Sequence, residues 1–251
     1  MTAPAIEQRD EGKVRTLTLN RPDRLNAFTA SSYQLLASML DDAAAADDVA
    51  VVLLTGAGRA FCSGVDLSAL SDAEDRPAEF GDAFDTLLEN LLALPKPLVA
   101  AVHGVAVGIG FTLLLHCDVV LVADDTRLRA PFTQLGTAPE AGSSWLLPQV
   151  VGAQRAAELI LTSRWLEAGE AVDWGLATES CSPDTLHQRA RELAHEIAAH
   201  APAATRAAKR LLLHDRTESV RAALRRERGA ATELLQLLGP IARKNGPSTT
   251  M

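Results

Sequence analysis

The sequence predicts an α/β core whose strands are joined by crossover helices, followed by a layer of helices. Through the first half of the chain, short runs rich in β-branched and apolar residues alternate with helical patterns. Some of these runs are apolar throughout, as are strands buried on both faces of a parallel sheet. After about Gly142 the helical patterns follow one another almost directly. The alternation indicates βα units, and the change of pattern indicates a helical C-terminal third.

The first half contains four predicted strands and three predicted helices. The strands are residues 15–19, which alternate with period two, and the apolar runs 49–54, 98–102 and 119–122. The helices are residues 31–46, preceded by capping residues, 82–94, which end at Pro95, and 108–116. Residues 71–77 are polar and turn-prone, which predicts a mobile surface loop.

The second half contains helical patterns with one short strand pattern among them. The predicted helices are residues 145–151, 153–162, 167–174, 183–199 and 205–238, and the strand is 176–179. The tail, residues 245–251, is predicted to be disordered. Helices this rich in alanine and leucine commonly pack against neighbouring subunits, so we expect an oligomer.

Composition argues against nucleic acid as a partner. The chain carries a net charge of −8, and only 4% of its residues are aromatic, whereas nucleic-acid-binding domains usually present a basic surface. Three cysteines without metal-ligand spacing argue against disulfides and zinc. Because the N-terminus lacks a signal pattern, we expect a cytoplasmic protein. Residues 98–123 are apolar enough to suggest a membrane span, but internal histidines, an aspartate and glycines favour a buried strand–helix–strand unit instead.

Two glycine-bearing loops are the principal candidate site. Residues 60–67 read AFCSGVDL and residues 103–112 read HGVAVGIGFT, each following a predicted strand. Unpaired N–H groups at the start of a helical segment carry positive partial charge, and two such donors facing one point form an oxyanion hole. Alternatively, the first loop is an ordinary turn in which Asp66 fixes the backbone. A phosphate loop is excluded because no Lys-Ser/Thr pair follows, and GxGxxG is missing.

These residues resemble the enoyl-CoA hydratase/isomerase (crotonase) superfamily. The matching segments occur in the family's order: NRPDRLNAF (20–28), AFCSGVDL (60–67), KPLVAAVHGVAVGIG (96–110), CDVVLVADDTRL (117–128) and LGTAPEAGSSWLLPQVVG (135–152). The resemblance implies a crotonase-like α/β spiral of ββα units with a C-terminal helical layer. It implies a spiral core at residues 1–195, a helical trimerisation region at 196–251, and a homotrimer or hexamer.

The resemblance also implies a substrate and a set of site residues. The substrate would be an acyl-CoA thioester, with coenzyme A as part of the substrate and no separate cofactor. By motif position the oxyanion-hole donors are the backbone N–H groups of Val65 and Ile109. Contacts to the substrate would come from Leu25, Ala27, Ala60, Cys62, Gly64, Asp66, Gly108 and Phe132. Ile109 replaces the glycine usual at its position and should narrow the acyl pocket.

The residues at the catalytic positions distinguish among the family's reactions. Hydratases of this family use two glutamates, and the corresponding positions here are Thr112 and Phe132, which cannot act as bases near neutral pH. Glu140 stands where Δ3,Δ2-enoyl-CoA isomerases carry their acid/base. Sequence pattern alone favours a solvated loop residue or a helix N-cap at Glu140, but the family position favours catalysis.

We therefore predict an isomerase in which Glu140 works alone and an apolar environment raises its pKa. Phe132, Leu135 and Ile109 are the expected sources of that environment. The alternatives are another reaction on an acyl-CoA, such as hydration, thioester hydrolysis or isomerisation of a ring substrate, and an acyl-CoA-binding protein with little catalysis. We also expect His116 and Asp118 to cap backbone groups where the helix 108–116 meets the next strand.

Overall fold

The computed structural model describes residues 3–68 and 77–244 of the chain. Within them, a six-stranded sheet has the order β1-β2-β3-β4-β6-β9. Its strands are β1 (Ile6–Glu11), β2 (Val14–Leu19), β3 (Val51–Gly56), β4 (Leu98–Val102), β6 (Val119–Ala123) and β9 (Glu179–Cys181). Only the β1–β2 pair is antiparallel, and the four other neighbouring pairs are parallel. The predicted parallel core is therefore confirmed.

A second, three-stranded sheet has the order β5-β7-β8, with β5 (Val105–Val107), β7 (Arg127–Arg129) and β8 (Leu166–Glu167). Strand β5 pairs in parallel with β7, and β7 pairs antiparallel with β8. An isolated bridge between Cys62 and Ala106 joins this sheet to the loop that follows β3. The second sheet thus supports both of the glycine-bearing loops.

The helices, numbered along the described residues, lie mostly in the connections and in the C-terminal third. They are α1 (Ala30–Ala45), α2 (Pro77–Ala93), α3 (Ile109–Thr112), α4 (Ser143–Val151), α5 (Ala153–Thr162), α6 (Ala168–Asp173), α7 (Pro183–Ala198), α8 (Pro202–Leu212) and α9 (Arg216–Lys244). Helix α3 continues directly into the 3₁₀ turn Leu113–His116. Helix α1 begins with a capping box formed by Thr29 and Ser32, as its capping residues predict.

Hydrophobic packing covers both faces of the main sheet. In β3, Val52 and Leu54 belong to the larger core cluster, whereas Val51 and Leu53 face a second cluster. The second cluster is closed by the alanine- and leucine-bearing face of α7. Because successive side chains of a strand point to opposite faces, this double burial explains the uninterrupted apolar runs in the sequence.

The two last helices are tied to the core by specific contacts. On α8, the Lys209 Nζ donates to the Asp118 Oδ2 and to the Lys96 carbonyl, at 2.7 and 2.8 Å. Helix α9 lies against α4, where Val220 is fully buried. Two ion pairs, Arg221 with Glu89 and Arg228 with Asp85, join α9 to α2. Through these contacts, α8 and α9 pack against the rest of the domain.

Several predicted boundaries differ from the structure. Strand β1 was not predicted, because its sequence IEQRDE is polar and the strand lies at an exposed sheet edge. The short strands of the second sheet were also missed. The predicted strand 176–179 is shifted to Glu179–Cys181, and the predicted helix 205–238 is two helices, α8 and α9, separated at residues 213–215.

Two predicted segments lie partly or wholly outside the described residues. Helix α2 begins at Pro77, but the rest of the loop predicted at residues 71–77 lies outside the described residues, as does the tail 245–251. The segment 98–123 contains the predicted strand, helix and strand, but the predicted loop between the first strand and the helix includes β5. Within the part of the chain that the structure describes, no helix has the length and apolar character needed to cross a membrane.

Candidate active site

The first glycine-bearing loop is held against the segment that precedes α1. The Phe28 N–H donates to the Gly64 carbonyl and the Asp66 N–H donates to the Phe28 carbonyl, both at 2.8 Å. The Arg21 Nη2 donates to the Asp66 Oδ2 at 2.8 Å. The Asp66 Oδ1 also accepts from the Ser68 N–H at 3.2 Å, so the Asp66 side chain contacts both Arg21 and the backbone of its own loop.

Asn26 holds the same two segments together and was not singled out by sequence analysis. Its buried Nδ2 donates to the carbonyls of Ala57 and Ala60, at 2.9 and 2.7 Å, and its Oδ1 accepts from the Arg21 N–H. Leu25 and Asn26 both have left-handed backbone conformations, with φ of 49° and 57°, which asparagine tolerates better than most residues. The segment NRPDRLNAF gives no local sign of these contacts, because Ala57 and Ala60 lie 31 and 34 positions along the chain from Asn26.

The two glycine-bearing loops approach each other at backbone distance. The Cys62 N–H donates to the Val105 carbonyl and the Val107 N–H donates to the Cys62 carbonyl. A Cβ atom added at Gly110 would lie 2.5 Å from the Cys62 oxygen, and one added at Gly64 would lie 3.1 Å from the Val107 oxygen. Glycine is thus required at Gly110 because no side chain fits between the loops.

The backbone N–H groups of Val65 and Ile109, one in each loop, have no acceptor among the described residues. The bridge to Phe28 uses the groups on either side of Val65, so the Val65 N–H points to the other side of the strand. Ile109 is the first residue of α3, where N–H groups have no intrahelical partner. Neither group takes part in a hydrogen bond of the described chain. They are therefore free to donate to a ligand.

Glu140 lies on a loop that is held from both sides. His116 is fully enclosed, and its Nε2 lies 2.8 Å from the Ala141 carbonyl. Because a carbonyl only accepts, the Nε2 must carry the hydrogen. On the other side, Gly142 and Ser144 each donate a backbone N–H to the carboxylate of Glu227, at 2.8 Å.

These bonds show that the Glu140 side chain does not cap α4. The N-cap of α4 is Gly142, and the carboxylate that binds the N–H groups at the start of α4 belongs to Glu227 rather than Glu140. The Glu140 carbonyl accepts from the Ser143 N–H, but no side-chain hydrogen bond to Glu140 occurs among the described residues. The N-cap alternative for Glu140 is therefore wrong. The contacts of His116, and of Asp118 with the Leu98 N–H, confirm that both side chains hold backbone groups.

The Glu140 carboxyl is poised to exchange a proton near neutral pH. Burial, followed by the nearby negative charge of Glu227, raises the pKa of the Glu140 carboxyl to about 7. Although the residue keeps some exposure, its carboxyl is densely surrounded by protein. The exposed part faces a cavity of 490 Å³ between α2, α9 and residues 137–141. A carboxyl with this pKa can act both as base and as acid at pH 7.

Electrostatic coupling relates Glu140 to the first loop. Burial raises the pKa of the Cys62 thiol to about 12, opposed by the Gly64 N–H and assisted by Glu140. Burial and then Glu140 also raise the pKa of Tyr33, which lies on α1. Cys62 packs directly against Gly110, so the negative charge of Glu140 acts on the loops that carry Val65 and Ile109. Because its thiol is buried and protonated, the Cys62 side chain acts in packing.

Aromatic side chains extend from the first loop toward the cavity. Phe28 stacks on Tyr33 with ring centroids 4.7 Å apart, and Tyr33 meets Phe80 and Phe84 edge-on at 5.2 and 5.5 Å. Phe84 also lines the Glu140 cavity. The Tyr33 hydroxyl is buried without a hydrogen-bond partner among the described residues. This row of rings forms an apolar wall beside Glu140.

The remaining predicted residues occupy several environments. Thr112 is fully buried, and its hydroxyl has no partner in the described chain. Phe132 and Ile109 are buried in the main core cluster, as expected for residues that exclude water. Leu135 is 52% exposed, so the expectation that it shields Glu140 is wrong. Its exposure follows from its place in a polar turn, where its N–H bonds back to Pro131 and Phe132. Among the described residues no group of three or more His, Cys, Asp or Glu side chains could hold a metal ion.

Of the residues predicted to contact the substrate, most lie in the two joined segments just described. Ala27 and Ala60 are buried beside Asn26, Leu25 is partly exposed at the left-handed turn, and Gly108 has a φ of 55°. None of these residues lines the cavity beside Glu140, which is bounded by α2, α9 and the Glu140 loop. The structure therefore has two adjoining parts, a loop pair with free N–H groups and a carboxyl-bearing cavity.

Comparison with known proteins identifies the family. The family model described as enoyl-CoA hydratase/isomerase matches residues 9–237. The chain belongs to the enoyl-CoA hydratase/isomerase family. The resemblance of its five motifs to this family is thus confirmed, and the expected acyl-CoA substrate is consistent with it.

Relatives in this family cover most of the chain. The 1,2-epoxyphenylacetyl-CoA isomerase of Escherichia coli is 40% identical over 193 residues, which are 75% of this chain and 74% of that protein. The enoyl-CoA delta isomerase 2 of Rattus norvegicus is 35% identical over 84% of this chain and 55% of its own length. The crystal structure of an enoyl-CoA hydratase/isomerase from Pseudoalteromonas atlantica has a TM-score of 0.88 at 34% identity, covering 98% of this chain and all of that one.

The structural match confirms the crotonase-like α/β fold with a C-terminal helical region. Membership in the enoyl-CoA hydratase/isomerase family makes the chain an acyl-CoA-processing enzyme. The family includes both hydratases and isomerases, so the reaction must be argued from the residues at the site.

Proposed function

We propose that this enzyme moves the double bond of a 3-enoyl-CoA from C3 to C2, with Glu140 as its single acid/base. The proposal rests on the environment of Glu140. Burial, followed by the negative charge of Glu227, raises the pKa of the Glu140 carboxyl to about 7. The positions at which family hydratases carry glutamates hold Thr112 and Phe132, both buried. Neither of the two hydratase positions thus carries a carboxyl, and Glu140 is the one carboxyl that we propose to act on the substrate.

The reaction can proceed with that one carboxyl. Ionised Glu140 removes a proton from C2, and the electrons of the C–H bond form the C1–C2 double bond of a dienolate. The negative charge moves to the thioester oxygen, which the N–H groups of Val65 and Ile109 stabilise. Protonated Glu140 then delivers the same proton to C4, and the double bond is left between C2 and C3. Each oxyanion donor contributes about 3–4 kcal/mol to the transition state.

The substrate thioester lies across the two glycine-bearing loops in this proposal. Its carbonyl reaches the free N–H groups of Val65 and Ile109. The coenzyme A portion is surrounded by residues of the joined segments, namely Leu25, Ala27, Ala60, Cys62, Gly64, Asp66 and Gly108. The acyl chain extends toward the Glu140 cavity. Buried Phe132 occupies the place of the second hydratase glutamate and keeps water from the dienolate.

A direct assay distinguishes isomerisation from hydration. Wild-type enzyme, Glu140→Gln and the control Glu233→Gln are given a 3-enoyl-CoA, and the conjugated-enoyl absorbance is followed; hydration of a 2-enoyl-CoA is measured in parallel. Glu233 is an exposed glutamate of α9, so its variant carries the same change of charge away from the site. We expect conjugation without rapid hydration, and at least a ~100-fold loss in Glu140→Gln alone.

Two results would overturn the proposal. One is undiminished isomerisation by Glu140→Gln, and the other is fast hydration by the wild type. Titration with a non-reactive acyl-CoA provides the binding control. Glu140→Gln should bind it like the wild type, because the N–H donors and loops are unchanged.

A second candidate reaction is isomerisation of a ring-bearing acyl-CoA. Two observations favour it: the 40% identity to the Escherichia coli 1,2-epoxyphenylacetyl-CoA isomerase, and the row of aromatic rings from Phe28 to Phe84 beside the cavity. The same oxyanion hole and the Glu140 carboxyl would act in this reaction. Comparing kcat/KM for a linear 3-enoyl-CoA and a ring-bearing acyl-CoA decides between them.

A further inference from the structure

We propose that Glu227 is a positioning residue for the Glu140 base, holding the backbone that carries Glu140 and placing a negative charge beside it. The inference rests on the proposed function, since it assigns Glu140 the role of base. Glu227 lies on α9, 87 positions along the chain from Glu140. Only the packing of α9 over the Glu140 loop brings the two carboxyl groups to one cavity.

The Glu227 carboxylate binds the backbone that follows Glu140. Glu227 is 7% exposed. Its Oε2 accepts from the Gly142 N–H and its Oε1 accepts from the Ser144 N–H, each at 2.8 Å. Both oxygens act as acceptors, and α4 begins at this point. Glu227 therefore binds the first N–H groups of α4 as a capping carboxylate supplied by another helix.

The backbone that Glu227 holds in place has an unusual conformation. Ala141 and Gly142 follow Glu140 directly and have φ of 58° and 72°. A left-handed conformation is unfavourable for alanine and persists only where neighbouring contacts impose it. Here the contacts are His116, on the Ala141 carbonyl, and Glu227, on the Gly142 N–H. Gly142 also lies so close to α9 that a Cβ atom there would be 2.7 Å from Val220.

Glu227 also acts on Glu140 electrostatically. After burial, the negative charge of Glu227 is the cause that raises the pKa of Glu140. Other titratable or charged groups also face this region from the surrounding elements. They are Asp82 and Asp85 on α2, Arg228 on α9, Tyr33 on α1, Cys62 in the first loop, and His116. Arg228 is paired with Asp85. The like charge of Glu227 thus opposes ionisation of Glu140, which would otherwise occur at lower pH.

Three variants separate these effects. Glu227→Gln keeps the shape but removes the charge, and it turns one acceptor into an amide that cannot accept. Glu227→Asp keeps the charge but is too short to reach both N–H groups. Glu233→Gln, on the exposed side of α9, is the control for loss of one negative charge. For each variant, kcat and KM are measured against pH. The titration of Glu140 is followed by carbon-13 NMR of protein labelled at its glutamates. The Glu140 resonance is assigned as the one that is missing in Glu140→Gln.

We expect the two roles to give different signatures. In Glu227→Gln, the acidic limb of kcat/KM and the Glu140 titration should move down by about one pH unit. In Glu227→Asp, the titration should stay near that of the wild type while kcat falls about tenfold to a hundredfold, because the loop is held less accurately. KM should change little in both variants. Glu233→Gln should behave as the wild type.

The proposal is overturned if the Glu140 titration in Glu227→Gln does not move further than in Glu233→Gln. It is also overturned if Glu227→Asp retains wild-type kcat. Should Glu227→Gln fail to fold, Glu227→Asp still tests the positioning role. The NMR titration needs no substrate, so an enzyme that proves inactive toward 3-enoyl-CoA would refute the proposed function while leaving the coupling between Glu227 and Glu140 measurable.

Discussion

At the scale of single residues, the ionisation of Glu140 connects the proposed chemistry to stability. Its pKa is raised to about 7 in the folded protein, mainly by burial, whereas an unfolded chain ionises glutamate near 4.5. The folded state therefore favours the protonated form. The corresponding stability is fully present below pH 4.5, and it is lost as the pH rises through about 7.

Glu140→Gln should consequently stabilise the fold at alkaline pH. Glutamine cannot ionise, so the variant avoids the cost of a buried charge. We expect its free energy of unfolding to exceed that of the wild type by about 1–3 kcal/mol at pH 8 and to be nearly equal at pH 4.5. Urea unfolding at both pH values measures the difference. Glu233→Gln should show no such pH-dependent gain, and an equal gain in both variants would contradict the explanation.

His116 should impose the opposite pH dependence. Burial, reinforced by the positive charge of Arg216, lowers the pKa of His116 to about 4. The folded state favours neutral imidazole, so this stability is present above pH 6.5 and is lost as the pH falls from 6.5 toward 4. The wild type should lose about 2–3 kcal/mol over that range through His116.

The measurement is the slope of unfolding free energy against pH in wild type and His116→Gln. The variant should be less stable at pH 7 but should have a shallower slope between pH 6.5 and 4. His200→Gln, at an exposed position, provides the control. Parallel slopes in wild type and His116→Gln would show that another group causes the loss.

At the scale of elements, the contact between the two glycine-bearing loops is the feature most sensitive to substitution. A Cβ atom at Gly110 would lie 2.5 Å from the Cys62 oxygen and 2.8 Å from its Cβ. Gly110→Ala should therefore separate the loops, destabilise the fold by about 1–3 kcal/mol and lower kcat. Gly229→Ala is the matched control, because a Cβ atom there meets nothing within 4 Å and alanine favours helix by about 0.5–1 kcal/mol.

Thermal unfolding and isomerase assays of the two alanine variants provide the test. Gly110→Ala should lose both stability and activity, whereas Gly229→Ala should retain both. Equal behaviour of the two variants would mean that the loops have room to separate without affecting the N–H groups of Val65 and Ile109.

Elements that are buried on both faces were the ones best predicted from sequence. Strand β4 was predicted with its observed bounds, because an apolar run between a Pro-containing turn and His103 leaves little freedom. Strand β1 was missed because its side chains are polar and exposed, so its pairing comes from backbone hydrogen bonds to β2. The break between α8 and α9 was missed because both helices have similar composition.

At the scale of the whole molecule, we expect a homotrimer or hexamer. The expectation comes from the family resemblance. Leucines that are largely exposed on the single chain agree with it, among them Leu161, Leu211 and Leu212. Light scattering coupled to size exclusion measures the mass directly. A mass equal to that of one 26.6 kDa chain would contradict the prediction.

The sequence by itself determined the α/β class, the family, the two glycine-bearing loops and the absence of the hydratase glutamates at Thr112 and Phe132. These conclusions depend on local motifs and on periodic burial, both of which can be recognised along the chain. It also located Glu140, although only by analogy of position.

The tertiary structure decided what surrounds that glutamate. Asn26 joins two loops across 34 positions of the chain, and Glu227 reaches Gly142 across 85. No local pattern indicates either contact, because Glu227 lies in a charged helical stretch that gives no sign of burial. The charge state of Glu140 depends on burial and on a second carboxylate brought near by the fold, and such long-range contacts arise only when the helices pack.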